Sequence, residues 1–119
     1  MSTLGATLEG VSYGSVEIAL RPSAAVSQQH GFVHAGAVCA IADSAAGYAA
    51  LTLMPADAGV LTAELKINLM APAAGDRIVA KGRVVKSGRT LTVTQTEVFA
   101  ETGDRLKLVT VAGREGVRD

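Results

Sequence analysis

The sequence predicts an α+β domain in which an antiparallel sheet of about six strands wraps around one long central helix. Several segments alternate apolar and polar side chains with a period of two, which is typical of strands with one buried face. A single long run of small apolar residues lies between two groups of such segments and has the length of a helix. The 119 residues show no repeat or linker, so we treat 1–119 as a single domain.

Two strands are predicted before the helix. The segment Ser15–Arg21 alternates Val16, Ile18 and Leu20 with more polar residues. The segment Thr3–Val11 shows a weaker form of the same pattern. Both are short enough for ordinary strands, and both precede the small-residue run.

The central helix is predicted over Ala35–Leu53. Pro55 ends it, because proline cannot continue a helix and restricts the residue before it. Most of the segment is Ala or Gly, and an interior glycine costs a helix about 1 kcal/mol relative to alanine. Small side chains therefore indicate that another backbone packs closely here. A sheet wrapped around the helix is the favoured arrangement, and a helix lying on one face of an α+β sandwich is the alternative.

Four strands are predicted after the helix, over Val60–Met70, Arg77–Lys86, Thr90–Ala100 and Arg105–Ala112. In the first, every odd position from Leu61 to Leu69 is apolar and every even one polar, which predicts one buried face. Ser87-Gly88 between the second and third indicates a hairpin. The third strand carries threonines on one face, at Thr90, Thr92, Thr94 and Thr96.

Composition excludes some functions and favours self-association. Eleven Lys and Arg balance 11 Asp and Glu, and a zero net charge argues against a nucleic-acid partner. Charged residues make up 18% of the chain, below the roughly 25% of typical soluble domains. The mean hydropathy is +0.33. Because so apolar a chain exposes much apolar surface as a monomer, we expect a homo-oligomer.

Several other classes are also disfavoured. Cys39 is the one cysteine, so no internal disulfide forms, and no cluster of metal-binding residues is present. The apolar run around Ala35–Met54 is interrupted by Asp43 and is a poor transmembrane helix. No signal peptide is recognisable. We expect a cytoplasmic protein without a cofactor, a metal or a membrane partner.

Asp43 is the leading candidate for chemistry. It is the only charged residue between Arg21 and Asp57, and it lies about two turns inside the predicted helix. An ionised carboxylate in apolar surroundings is costly unless it is paired or hydrogen-bonded. The alternative is that Asp43-Ser44 caps a helix that begins at Ser44.

The start of the predicted helix is a second candidate. His34, Ala35 and Gly36 lie where free backbone N–H groups and the positive end of the helix dipole favour an anion. The same donors could stabilise an oxyanion formed on a carbonyl group. The alternative for His34 is a side chain that satisfies local backbone groups. Cys39 is interpreted as a small residue of the helix.

Together these motifs resemble those of the hotdog-fold acyl-CoA thioesterases, and most closely the PaaI-type branch of phenylacetyl-CoA and 4-hydroxybenzoyl-CoA thioesterases. The residues that carry the resemblance are Gln28, Gly31, His34, Gly36, Asp43, Thr62-Ala-Glu64 and Ala71-Pro72. The resemblance covers about Val26–Ala112. It implies a sheet wrapped around a central helix, dimers with shared sheets, tetramers built from two dimers, and acyl-CoA as the substrate.

The resemblance also implies roles for individual residues. Asp43 is the nucleophile or general base, and Gln28 orients the water or the thioester. The N–H of Ala35, where the family usually has Gly, polarises the thioester carbonyl. Thr62 assists the water. Another branch has a Thr one turn after the carboxylate, but this chain has Gly47 there.

The hairpin that follows the predicted strand Arg77–Lys86 is assigned to the nucleotide end of the substrate. Ser87-Gly88-Arg89-Thr90 resembles the family hairpin that contacts CoA, and His34 and Gly36 are assigned to substrate binding at the helix start. Basic residues that suit the CoA phosphates are frequent nearby, at Arg77, Lys81, Arg83, Lys86 and Arg89. The alternative is an ordinary solvated hairpin.

The predicted function is hydrolysis of an aryl- or medium-chain acyl-CoA to the free acid and CoA. One alternative is a non-catalytic acyl-CoA-binding or sensing protein on the same fold. A hotdog dehydratase or hydratase, and a purely structural oligomer, are further alternatives. The carboxylate at Asp43 favours the enzyme, because a binding protein has little use for a carboxylate beside a thioester.

Overall fold

The computed structural model describes residues 5–22, 33–55 and 58–118. In it, one α-helix packs against a six-stranded antiparallel sheet, which confirms the predicted α+β fold. The helix, α1, spans Ala35–Leu51. The strands are β1 (Ala6–Ser12), β2 (Ser15–Leu20), β3 (Val60–Leu69), β4 (Arg77–Ser87), β5 (Leu91–Thr102) and β6 (Arg105–Arg118).

The strand order in the sheet is β1-β2-β4-β5-β6-β3, and every neighbouring pair is antiparallel. Strands β1 and β3 are therefore the two edges of the sheet. Helix α1 connects β2 to β3, and it packs mainly on β2, β4 and β5. Across the described ranges, no helix is long and apolar enough to span a membrane.

The core forms where alanines of α1 meet the branched apolar residues of the sheet. Ile18, Ile78 and Val98 are fully buried beneath Ala42, Ala45 and Ala49, which are also fully buried. The threonine face of β5 is turned toward the helix, with Thr92, Thr94 and Thr96 buried. The Thr96 hydroxyl donates to the Ala42 carbonyl over 3.4 Å, so even a polar side chain here serves helix–sheet packing.

Gly82 on β4 marks the closest approach of helix and sheet. A Cβ atom added at Gly82 would lie 2.7 Å from both the carbonyl carbon and the oxygen of Ala45. Those are backbone atoms, which cannot rotate away as a side chain can. The glycine is therefore required by the short distance between α1 and β4.

The largest departures from the predictions are the bounds of β6 and the burial of β3. Strand β6 continues to Arg118 instead of ending at Ala112, because from Thr110 onward it pairs with β5 on one side and β3 on the other. Strand β3 has no buried face within the single chain, so that prediction is wrong. Leu61, Leu65 and Leu69 are 63%, 37% and 54% exposed, and β3 pairs only with β6 among the described strands.

We expect Gly82→Ala to lower the free energy of unfolding by about 1–3 kcal/mol, because the added methyl group overlaps the backbone of Ala45. The measurement is urea denaturation followed by circular dichroism. Gly113→Ala in β6 is the matched control, since a Cβ there meets nothing within 4 Å. Its effect should be no more than about 1 kcal/mol. Equal stability of the two variants would contradict the close approach.

Candidate functional site

Helix α1 begins at Ala35 with His34 as its N-cap, so Asp43 is a residue of the helix interior. The alternative that Asp43 caps a helix starting at Ser44 is therefore wrong. The Asp43 side chain is 39% exposed, and it forms an ion pair. The carboxylate is thus on the apolar helix, as predicted, but at the margin of the core.

Asp43 is held in a three-residue cluster with Thr62 and Arg114. The Thr62 hydroxyl donates to Asp43 Oδ1 over 3.2 Å. The Nε of Arg114 donates to Thr62 Oγ1 over 2.7 Å and lies 3.0 Å from the same Asp43 Oδ1. The structure therefore brings together two of the predicted catalytic residues, Asp43 and Thr62, and adds an arginine.

Arg114 is a residue of the site that the sequence analysis missed. Its side chain is only 7% exposed, and Nη1 is buried without a hydrogen-bond partner in the described part of the chain. The sequence signal that could have revealed it is the alternation of β6, which places Thr110, Ala112 and Arg114 on one face of the strand. All three are buried. Ending the predicted strand at Ala112 concealed that Arg114 continues this buried face.

Gly47 makes room for this arginine. A Cβ atom added at Gly47 would lie 2.5 Å from Nη1 and 3.3 Å from Cζ of Arg114. The glycine one turn after Asp43 therefore has a packing reason, as interior glycines were predicted to have. By contrast, a Cβ at Gly36, in the first turn of the helix, would meet nothing within 4 Å among the described atoms.

The start of α1 offers free backbone donors. The His34 carbonyl accepts hydrogen bonds from the N–H groups of Ala37 and Val38, over 3.0 and 3.2 Å. The N–H groups of Ala35 and Gly36 have no acceptor within the ranges that the structure covers. His34 is exposed and its side chain makes no capping hydrogen bond. These amides can therefore donate hydrogen bonds to an anion or to a polarised carbonyl oxygen of a ligand.

An apolar cavity of about 380 Å³ adjoins this helix start. It is lined by Val33, Ala35, Val38, Leu69, Met70, Ala71, Pro72, Ala73 and Thr110. The hydrogen bond from the Val33 N–H to the Ala73 carbonyl, 2.8 Å long, fixes one wall. Its volume lies within the range of small-molecule pockets, so a group of modest size could be bound beside the Ala35 amide.

A second, shallower cavity of about 160 Å³ lies beside Asp43. Its lining combines the carboxylate with polar and apolar neighbours, namely Ser44, Gly47, Tyr48, Leu51, Val60 and Arg114. Asp43 is eight residues after Ala35, about 12 Å along a helix that rises 1.5 Å per residue. Within one chain, the structure therefore does not bring the Ala35 amide and the Asp43 carboxylate together.

Gln28 lies outside the described residues, so its assigned role stays a prediction. Cys39 is partly buried, and burial raises the pKa of its thiol, which makes it a weak nucleophile at neutral pH. No group of three or more His, Cys, Asp or Glu that could bind a metal occurs within the described ranges.

The hairpin between β4 and β5 is exposed along Ser87, Gly88, Arg89 and Thr90. The N–H of Gly88 donates to the Leu91 carbonyl over 2.8 Å, and a Cβ at Gly88 would lie 2.8 Å from that same oxygen. Glycine is therefore needed for this tight turn. The turn exposes Arg89 to solvent beside the hydroxyl-bearing residues Ser87 and Thr90.

Three of the five predicted phosphate-binding residues have other partners. Arg77 bonds to Glu9 over 2.7 Å and to Glu101 over 3.2 Å. The Lys81 ammonium lies 3.8 Å from Glu17, and Arg83 donates to Gln95 over 2.7 Å. In the part of the chain that is described, Lys86 and Arg89 have no such partner. The basic cluster is thus smaller than the sequence suggested.

Comparison with known proteins agrees with this fold. The family described as the thioesterase superfamily matches residues 30–107. A thioesterase family protein from Silicibacter pomeroyi is 41% identical, and the alignment covers 99% of this chain and 87% of the other, with a TM-score of 0.95.

More distant structures are also similar. A thioesterase from Haemophilus influenzae is 19% identical over 99% of this chain and 80% of its own, with a TM-score of 0.88. A variant of the phenylacetic acid degradation protein PaaI from Thermus thermophilus is 24% identical over 98% of this chain and 96% of its own, with a TM-score of 0.85. At these identities the two likenesses show the fold alone, and they confirm the hotdog fold. Since the family match covers most of the sequence, this chain belongs to the thioesterase superfamily.

Proposed function

We propose that this protein is an acyl-CoA thioesterase that hydrolyses an aryl- or medium-chain acyl-CoA to the free acid and CoA. The observation that carries the proposal is the Asp43 carboxylate, hydrogen-bonded to Thr62 over 3.2 Å, on the same helix whose first amides have no acceptor among the described residues. Thioester hydrolysis needs an oxygen base or nucleophile and donors for the developing oxyanion. The family membership supports the reaction class.

Asp43 Oδ2 is the oxygen that would act on the substrate, because Oδ1 already contacts Thr62 and Arg114. As a general base, Asp43 takes a proton from water while the water oxygen attacks the thioester carbon. As a nucleophile, it attacks that carbon itself and forms an anhydride that water then cleaves. In both routes the carbonyl oxygen becomes an oxyanion, and CoA leaves as the thiolate.

A single turnover in ¹⁸O-labelled water can reveal the nucleophilic route. If water attacks the Asp43 side of the anhydride, the acid carries an unlabelled Asp43 oxygen and the label stays in the protein. General-base catalysis, and attack by water on the acyl side of an anhydride, both place the label in the acid. Label in the Asp43 peptide, detected by mass spectrometry, therefore identifies nucleophilic catalysis.

The proposed site is formed by two chains. The Ala35 amide and Asp43 are about 12 Å apart along one helix, too far to act on the same carbonyl group. A second chain whose helix runs antiparallel would bring its helix start to Asp43 of the first. The exposed leucines and unpaired edge of β3 support this association, because natural sheets rarely leave such an edge open. A tetramer of two such dimers is the further expectation.

The two ends of the substrate are assigned to different surfaces. The acyl group would occupy the apolar cavity beside Ala35, whose size suits an aryl or medium-length chain. The nucleotide phosphates would lie against the hairpin at Ser87-Gly88-Arg89-Thr90, where Arg89 is exposed without a partner among the described side chains.

One observation favours the alternative of a non-catalytic acyl-CoA-binding protein. Oδ1 of Asp43 is already engaged by Arg114 and Thr62, which leaves only Oδ2 to contact a substrate or a water molecule. The two functions differ in one readout. An enzyme releases CoA thiol from an acyl-CoA panel, whereas a binding protein retains the intact thioester at equilibrium.

We expect Asp43→Asn to lower kcat at least about 10²-fold, since a positioned base contributes 10²–10⁴. Asn preserves an oxygen acceptor for the Thr62 hydroxyl, which Asp43→Ala removes, whereas both variants leave the buried arginine without its counter-ion. CoA release followed with a thiol-reactive dye is the measurement. The melting temperature of each variant is the control for folding. Near-wild-type turnover by Asp43→Asn would locate the chemistry elsewhere.

We expect Arg89→Ala to raise KM for acyl-CoA several-fold with little change in kcat, because a contact to a remote phosphate acts equally on ground and transition states. Arg105→Ala is the matched control, since Arg105 is an exposed arginine at the start of β6. It pairs with Thr102, at the end of β5 that is remote from the hairpin of Arg89. The wild-type KM should also rise with salt. The assignment fails if Arg89→Ala discriminates acyl-CoA from acyl-pantetheine as strongly as the wild type does.

We expect mixed dimers of Gln28→Ala and Asp43→Ala chains to regain activity, although each variant alone is weak. Random pairing makes half of the dimers mixed, and each mixed dimer has one site with both residues native, which gives about a quarter of wild-type activity. The chains are co-refolded, and heterodimers are quantified by native mass spectrometry. Heterodimers without regained activity would show that both residues act within one chain.

A further inference from the structure

Arg114 connects the candidate catalytic carboxylate to two strands of the sheet. Its Nε contacts Thr62 of β3 and Asp43 of α1, and its own backbone pairs with β5 and β3. Thr62 is exposed and Asp43 is partly exposed, but the Arg114 side chain is buried. The arginine is therefore the anchored member of the cluster, and the two smaller side chains are held against it.

From this geometry we infer that Arg114 is the positioning residue of the site, and that it acts by fixing Asp43 Oδ1 so that Oδ2 is directed to the substrate. The inference rests on the proposed function of Asp43. Arginine keeps its charge under all ordinary conditions, and a buried guanidinium requires a carboxylate beside it. Among the described residues, Asp43 is the carboxylate that fills this requirement.

The cluster also determines what Thr62 does. A hydroxyl has one proton, and that of Thr62 is donated to Asp43 Oδ1. Its oxygen accepts from Arg114 Nε at 2.7 Å. The proton of Thr62 is therefore committed to the carboxylate, and the hydroxyl could contact a water molecule only as an acceptor, through its remaining lone pair. Any assistance that Thr62 gives to the water, as the family resemblance implies, is thus limited to accepting a hydrogen bond or acting through Asp43.

Gly47 is the companion of Arg114 in this arrangement. A Cβ atom added at position 47 would lie 2.5 Å from Nη1 and 3.5 Å from Nη2 of Arg114. The guanidinium thus rests directly on the helix backbone one turn beyond Asp43. A side chain at position 47 would displace the guanidinium and, with it, the oxygen that Nε holds.

The test is a kinetic double-mutant cycle on the full-length protein. Arg114→Gln should lower kcat by tenfold or more, up to the roughly 10²-fold that a small misplacement of a catalytic group costs, with KM changed less than about threefold. In the Asp43→Asn background, Arg114→Gln should cause no further loss beyond about twofold, because the two residues act as one unit. Arg105→Gln, at an exposed site, is the matched charge control.

Two further variants keep the inference testable if Arg114→Gln folds poorly. Gly47→Ala keeps the arginine at position 114 but fills the space that its guanidinium occupies, so it should also lower kcat. Arg114→Ala should regain at least about fivefold in kcat on addition of millimolar guanidinium, which can enter the vacated space, whereas Arg105→Ala should not.

The outcomes are distinct. Wild-type kcat in Arg114→Gln or in a folded Gly47→Ala overturns the inference, and so does an equal loss from Arg114→Gln with and without Asp43. A rise in KM with unchanged kcat overturns it too, by assigning Arg114 to substrate binding. If Asp43→Asn itself turns over like the wild type, or if the wild type releases no CoA, the proposed function fails, which is seen before any Arg114 variant is compared.

Discussion

The rest of the structure depends on how closely α1 approaches the sheet. The helix face against β2, β4 and β5 is largely alanine, and Gly82 allows the backbone of β4 almost to touch that of Ala45. Because the helix contributes so little side-chain volume, the branched residues of the sheet fill the core. This explains how a chain with 3% aromatic residues forms a packed interior.

The same closeness determines where polar chemistry can be accommodated. Branched apolar residues fit beneath the alanines of α1, and Gly47, which lacks a Cβ, provides the space for the longer side chain of Arg114. The buried guanidinium then requires a carboxylate, and Asp43 is one turn away on the helix. Removing Asp43 would leave the buried guanidinium without its counter-ion, so the position of Asp43 matters for stability as well as for the proposed chemistry.

Much of the fold could be predicted because its signals are local. Period-two alternation located the strands, and Pro55 with the small-residue run located the helix within two residues of its end at Leu51. The continuation of β6 could not be predicted in this way, since Gly113 and Gly116 are poor strand formers and their pairing with β3 and β5 is long-range. The alternation of β3 indicated a buried face that one chain does not bury.

The residues of the candidate site also differ in whether local sequence signals could identify them. Asp43 was identifiable as a lone charge in an apolar helix, and its link to Thr62 came from the family resemblance. Local pattern could at most have placed Arg114 on the inward face of a longer β6, because its contacts with Asp43 and Thr62 join three elements that are distant in sequence and meet only in the folded chain. Position 47 illustrates the same limit, since its glycine is explained by a side chain 67 positions later.

Strand β3 connects the stability of the fold to the proposed activity. It carries Thr62 of the site, and it is also the open edge with exposed leucines at 61, 65 and 69. The bulge between Thr62 and Glu64 locally bends this edge next to the carboxylate. If a second chain covers the edge, as proposed, the contact that buries the leucines also fixes the strand that holds Thr62 against Asp43. Association would then order the carboxylate and supply the amides of the partner helix in one step, so that a dissociated chain loses both the apolar contact and a complete site.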